Sequence, residues 1–297
     1  MKTKTPITRK LFDIAWQRYV MNPVWLLLVV IFTTGSLLVC GGCAINAKGV
    51  NTHQSGAASQ NDNTSSVLRF HVETHADRLL KEMGDYLKSA DSFTFHAESS
   101  YDAIDRNSQK IRYGGTTNVA IHRPDRLRSE FIGDERQTQT FYDGKTVTIY
   151  NPAINMYTVT DVPPVIDDAI DTVFDKYGVS VPLADIVYAD PYNTLIANVI
   201  EGRWVGLHSI AGVPCNHLAF IQESVDWQIW IEEGPRPVPR QVLITYKDEP
   251  GWPQYLARLS SWDFQPQLSN DYFKFQPPVG SDEMEFLITS EMEVNNE

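Results

Sequence analysis

VDWQIWIEEGPRPVPRQVLITY, residues 225–246, sets large apolar side chains at every second position. Val225, Trp227, Ile229 and Ile231 alternate with Asp226, Gln228, Trp230 and Glu232. After the proline-rich break at 234–239, residues 241–246 resume an extended pattern. Strand side chains point alternately to two faces, so a period of two predicts a pair of strands with one face of large apolar residues. On a regular strand Trp227 and Trp230 lie on opposite faces, so at most one of them belongs to it. That face either fills the protein's own core or lines a space for an apolar ligand.

Working outward, similar runs recur at 93–99, 113–121, 127–132, 138–142, 146–150, 156–159, 204–209, 214–221, 256–264 and 273–276. Turn residues separate them, and Asp143-Gly144 is the strongest hairpin signal in the chain. Strands at this spacing form an antiparallel meander and not a parallel α/β sheet. Three stretches change to helical spacing. Thr74 is the expected N-cap of a helix whose face is Val72, Ala76, Leu79, Leu80, Met83 and Leu87. After Pro163-Pro164, residues Ile166, Ala169, Ile170, Val173, Phe174 and Tyr177 share a face. Asp190-Pro191 opens a further helix as cap and first-turn proline. The expectation is a mainly β fold with α. About a dozen strands form one antiparallel sheet long enough to curl, and the helices cover its concave side.

The 297 residues carry a net charge of −12. Residues 1–43 hold five basic residues against one acid, which leaves the remainder at −16. An acidic body without a basic stripe excludes nucleic acid as the expected partner, because phosphates need Lys and Arg. Residues 24–40 are uncharged and strongly apolar, preceded by positive charge and followed by CGGCA. This is the order of a secretory signal, and its length also suits an uncleaved anchor. Either way the bulk of the chain crosses to the outside. Met21 is an alternative start to Met1.

The sequence Cys40-Gly-Gly-Cys43 resembles the lipobox of bacterial lipoproteins, which implies lipidation at Cys43. Cys40 departs from that pattern, where Leu is preferred. Lipidation at Cys43, ordinary cleavage nearby and a retained anchor all stay open, the first being preferred. Ile45 in place of an Asp at the second mature position favours the outer membrane. Residues 44–73 read as a flexible polar tether, 74–288 as the folded domain with a helical insert at about 163–201, and 289–297 as an acidic tail. Cys215 is the other mature cysteine and is expected as a small buried residue.

RPDRLRSEF (123–131), FYDGKTVTIYNP (141–152) and NMY (155–157) resemble the lipoprotein-carrier superfamily of LolA-like and LolB-like proteins. VDWQIWIE (225–232), PVPRQVLITYK (237–247) and FKFQPPVG (273–280) are similar to its subfamily of predicted periplasmic proteins of unknown function. The resemblance spans roughly residues 74–288. It implies an incomplete antiparallel barrel of about eleven strands, a half-barrel with helices closing the concave side and room for acyl chains between.

Phe93, Phe95, Phe131, Tyr142, Trp204, Phe220, Trp227 and Ile229, with Trp230 as the other face's rival, are the candidates for lining that space. An acyl-chain site needs a wide, dry apolar lining with few polar anchors. The expected partners are acyl chains of a lipid or lipoprotein and the membrane through the N-terminus. The alternative is a sensory or scaffold module with a filled core that binds a protein on the periplasmic side. No GxSxG, P-loop, GxGxxG or HExxH motif is present, so no catalytic residue, metal or cofactor is assigned and the chain is not read as an enzyme. His71 and His75 lack a third ligand, and His96, His122, His208 and His217 form no group by spacing. The acids from Asp161 to Asp190 are expected to face solvent. Arg126 and Arg128 share a face, expected as surface charge or as a clamp for an anionic headgroup.

Overall fold

The computed structural model describes residues 71–285, apart from Ser180 and Pro182. The expected signal or anchor, Cys43, most of the tether and the tail 289–297 lie outside the described residues. Among the described residues no helix is long and apolar enough to cross a membrane.

Two antiparallel meanders make the sheet. The first comprises β2 (Ser92–Ile104), β3 (Lys110–His122), β4 (Arg126–Gly133), β5 (Gln137–Tyr142), β6 (Thr146–Asn151) and β7 (Met156–Asp161). The second comprises β8 (Glu201–Ile210), β9 (Val213–Ile221), β10 (Val225–Glu232), β11 (Pro239–Tyr246) and β12 (Gln254–Asp263). They fuse where β12 pairs with β2, from Tyr255 opposite Tyr101 to Asp263 opposite Thr94. These are the eleven antiparallel strands that the resemblance implies. Two-residue parallel strands bring the total to thirteen: β1 (His71–Val72) beside Glu201–Gly202, and β13 (Asp282–Glu283) beside Met156–Tyr157. β1 and β13 are the two edges of an unclosed, curled sheet. The sheet therefore begins inside the stretch expected as tether.

The turns follow from local chemistry. Between β5 and β6 the Asp143 carboxylate accepts from the backbone N–H of Lys145 and Thr146, while Gly144 takes φ +89°. That left-handed conformation suits glycine. Between β2 and β3, Asp105 accepts from the N–H groups of Asn107 and Gln109 in the same way.

Helix α1 (Thr74–Lys88) buries Ala76, Leu79, Leu80, Met83, Gly84 and Leu87, the face read from the sequence plus the glycine. Its N-cap is Glu73 and not Thr74; the Glu73 side chain does not cap the helix, its carboxylate accepting instead from the Trp204 N–H at 2.8 Å. The insert between β7 and β8 supplies α2 (Ile166–Tyr177), α3 (Ala184–Val187) and α4 (Pro191–Ile196). Asp190 caps α4 through the Asn193 N–H. Gly84 is the contact point of α1 and α4: a Cβ there would stand 2.6 Å from Tyr192 Cβ and 2.8 Å from its backbone nitrogen. Gly84→Ala is therefore expected to destabilise the domain by about 1–3 kcal/mol through overpacking, despite the roughly 1 kcal/mol that alanine gains in helix propensity. A lowered urea midpoint at unchanged m-value is the measurement; a midpoint equal to or above wild type would show that the helices part freely.

The opposite, convex face carries a smaller second layer. Residues 273–276, expected as a strand, are not one. A 3₁₀ turn at Asn270–Phe273 leads into an extended stretch that ends at Pro277-Pro278. Its aromatic side chains pack on the sheet face instead of pairing with an edge. Phe273 is 1% exposed, and the Phe275 ring lies 5.0–5.4 Å from those of Phe141, Tyr150 and Tyr157. The Arg128 guanidinium sits between the Phe141 and Tyr272 rings, donates to the Tyr272 carbonyl and pairs with Glu130. Arg126 pairs with Asp125. Both arginines are thus engaged within the fold, Arg128 pinning the segment at Tyr272 to the sheet through stacking and hydrogen bonding together.

Candidate functional site at the helix-covered face

The strand quoted at the outset is β10, and its apolar face points to the helices. Trp227 stacks on Phe220 of β9 at 4.1 Å between ring centres, and Ile229 lies opposite Leu218 and Val242. Trp230 takes the convex face and stacks on His217 at 4.0 Å. The structure brings six of the eight candidates into one core cluster with α1, α2 and α3: Phe93, Phe95, Tyr142, Phe220, Trp227 and Ile229. None of the six is more than 3% exposed, so in this closed arrangement the wall is packed against the protein's own side chains. Tyr142 donates from its hydroxyl to the Pro163 carbonyl at 2.7 Å, and burial pushes its pKa up to about 12.

The other two stand apart. Trp204 is 38% exposed on β8, its indole N–H donating to Asn216 and its ring against His75. Phe131 lies outside the core cluster. Its ring spans Gly115 and Gly133, where a Cβ would come within 2.6 Å of it, and Arg136 covers it at 5.3 Å.

Two features of the site have no counterpart in the sequence reading. First, the Trp227 indole N–H is buried and has no hydrogen-bond partner among the described residues. Such an orphaned donor costs about 1–3 kcal/mol, so it marks a place where a partner is missing or a cost is retained. Second, Trp262 and Phe264 join the apolar face. A bulge between Ser260 and Asp263, with Ser261 at φ +54°, turns Trp262 inward against Phe95 at 4.7 Å. Phe264 stacks beside it and meets Tyr86 of α1. Open depressions flank this pair. One of about 470 Å³ lies between the end of α1 and residues 264–267, and one of about 180 Å³ lies beside Arg236, Val238 and Arg240. An alternating pattern was visible at 262 and 264, but bulges carry no strong sequence signature.

The helical cover is held by polar ties. Arg123 donates to the Tyr188 carbonyl at 2.9 Å, and the Asp167 carboxylate accepts from the Ala189 N–H at 3.0 Å. Tyr188 donates to Asp171, Tyr192 donates to Asp77, and Lys88 pairs with Asp190 at 2.6 Å. The insert's acids are therefore not simply a solvated face: Asp167, Asp171 and Asp190 each meet a donor from a distant segment. Asp185 meets none at one oxygen. Its Oδ1 is cut off from solvent without a partner among the described residues, and burial pushes its pKa up to about 7. Burial also raises Asp167 and Asp171 and lowers Arg123.

Cys215 is a buried free thiol whose Sγ–H donates to the Val213 carbonyl, and burial raises its pKa. His71 and His75 do not pair; His75 meets Arg78 and Trp204 instead. Among the described residues no group of three or more His, Cys, Asp or Glu side chains is placed to hold a metal.

A family model described as predicted periplasmic protein (DUF2092) matches residues 76–287. Comparison with curated proteins gives no match. Among solved structures, an uncharacterized conserved protein from Thermus thermophilus is similar at 12% identity and TM-score 0.42, over 71% of this chain and 99% of that one. Lipoprotein LppX of Mycobacterium tuberculosis is similar at 11% identity and TM-score 0.41, over 65% and 97%. The LolA superfamily protein NE2245 of Nitrosomonas europaea is similar at 12% identity and TM-score 0.34, over 67% and 97%.

Proposed function

The chain belongs to the DUF2092 family of predicted periplasmic proteins, and from that premise we propose that it binds acyl chains of an envelope lipid or lipoprotein between its open sheet and its covering helices. The observation that carries this reading is the orphaned Trp227 N–H in an otherwise apolar wall. An ester or amide carbonyl at the head of an acyl chain would satisfy that donor, and the methylenes would meet Phe220, Ile229 and the aromatic rings beyond. Each buried methylene contributes about 0.8 kcal/mol, so affinity would come from area, with the N–H setting position.

Because the wall is filled when closed, binding requires the helices to move. The tie from the β3–β4 turn, Arg123 to the Tyr188 carbonyl, can exchange its protein acceptor for water, which keeps the cost of opening moderate. The Trp262–Phe264 pair, flanked by the two depressions, is where the wall comes nearest the surface. The reaction is reversible capture without covalent chemistry. With a lipidated Cys43 and the polar stretch 44–70 as tether, capture would take place close to the protein's own membrane, the outer membrane being favoured.

Native mass spectrometry of the mature protein, recovered from the envelope of an expressing bacterium, is the test. Bound mass resolving into phospholipid or acyl species is expected. A bare polypeptide mass with no lipid on extraction would sink the reading and leave the alternative of a filled-core module that binds a protein.

A further inference from the structure

His208 on β8 and His217 on β9 lie on the convex side, away from the helix-covered face, and their Nδ1 atoms stand 3.0 Å apart. His217 is fixed on every side that matters. It is 7% exposed, its ring is stacked on Trp230 with only 12° between the planes, and its Nε2 lies 2.9 Å from Gln228 Oε1. An amide oxygen accepts, so Nε2 carries the hydrogen and Nδ1 turns a lone pair toward His208, whose Nδ1–H donates to it; a bound metal ion would displace that proton. Metal-binding histidines are oriented in this manner, with the far ring nitrogen donating to an oxygen. His208 is exposed and free to adjust.

From this geometry we infer that His208 and His217 form a two-imidazole clamp for a tetragonal transition-metal ion, Cu²⁺ being the best fit. Metal–imidazole bonds of about 2.0–2.1 Å across a 3.0 Å nitrogen separation subtend roughly 95° at the metal. That is close to the right angle of square and octahedral sites, and imidazole ligands suit Cu²⁺, which stands highest in the affinity order of the divalent ions. The remaining positions open to water on the His208 side. Cys215 shares the face but is buried with its thiol turned to the Val213 carbonyl, so it is not a ligand. Arg203 is the nearby cation; it is mostly exposed and 3.9 Å from Glu201, so its repulsion is screened.

The metal-stripped mature protein is titrated with Cu²⁺ and followed by electron paramagnetic resonance. One equivalent whose spectrum shows coupling to two imidazole nitrogens is expected. His208→Ala, at an exposed position that leaves the fold intact, removes one coupling and weakens binding at least about tenfold. Gln228→Leu keeps both ligands but releases the His217 ring, and weakens binding by roughly 10–100-fold. His75→Ala changes neither. If His208→Ala binds Cu²⁺ with wild-type affinity and spectrum, or if wild type shows no two-nitrogen signal, the clamp does not exist.

Discussion

Asp185→Asn raises the stability of the domain at pH 8 and leaves it nearly unchanged at pH 4. The carboxyl belongs to α3 of the helical insert and has one oxygen unpaired among the described residues, and burial moves its pKa from 3.8 to about 7. Between these values the folded protein holds a proton that the unfolded chain has released. Stability therefore falls as pH rises from about 4 to about 7, and levels off above. At about 1.4 kcal/mol per unit of pKa, the loss has a ceiling on the order of 4 kcal/mol. Asparagine keeps the shape and cannot ionise, so the variant lacks this slope. Asp167 and Asp171 are raised by burial in the same direction and remain in both proteins. Urea unfolding at pH 4, 5.5 and 8 checks the prediction through the difference between the two curves. Parallel curves would mean that Asp185 is solvated when charged.

The fold was legible because its signals are local and repeat. The period of two in 225–232, the Asp143-Gly144 turn and the helical face from Ala76 to Leu87 each specify their element without reference to the rest of the chain. The stretch 273–276 misled because alternating Phe273 and Phe275 read as a strand whether they line an edge or lie across a face. Site chemistry was less legible for a physical reason. Whether an aspartate meets water or a donor from a distant segment, as Asp167 meets Ala189, depends on tertiary placement that spacing does not encode. The same holds for His208 and His217, brought together by a β8–β9 register that contains a bulge after Trp204. Face assignment did follow from alternation, which separates Trp227 from Trp230. Whether Trp227 meets a ligand or only its neighbours did not.

Trp227 decides between those alternatives when its bulk and its N–H are removed separately. Trp227→Ala is expected to cost about 3–5 kcal/mol, since a fully buried ring stacked on Phe220 leaves a cavity that the sheet cannot collapse. Any loss of lipid in that variant would follow trivially from unfolding, so it is the wrong probe of binding. Trp227→Phe keeps most of the apolar contact. It forfeits some ring area, at a cost of about 1 kcal/mol, but it also abolishes the orphaned donor and so recovers about 1–3 kcal/mol. Its urea midpoint should equal or exceed that of wild type. If a carbonyl of the bound molecule accepts from the indole N–H, this stable variant retains less lipid per folded molecule in native mass spectra, by about tenfold in affinity for each 1.4 kcal/mol of hydrogen bond lost. Equal stability with equal retention would place the ligand's polar head elsewhere along the wall. Lower stability would mean that the lost ring area outweighs the relief of the donor, and retention would then be compared per folded molecule only.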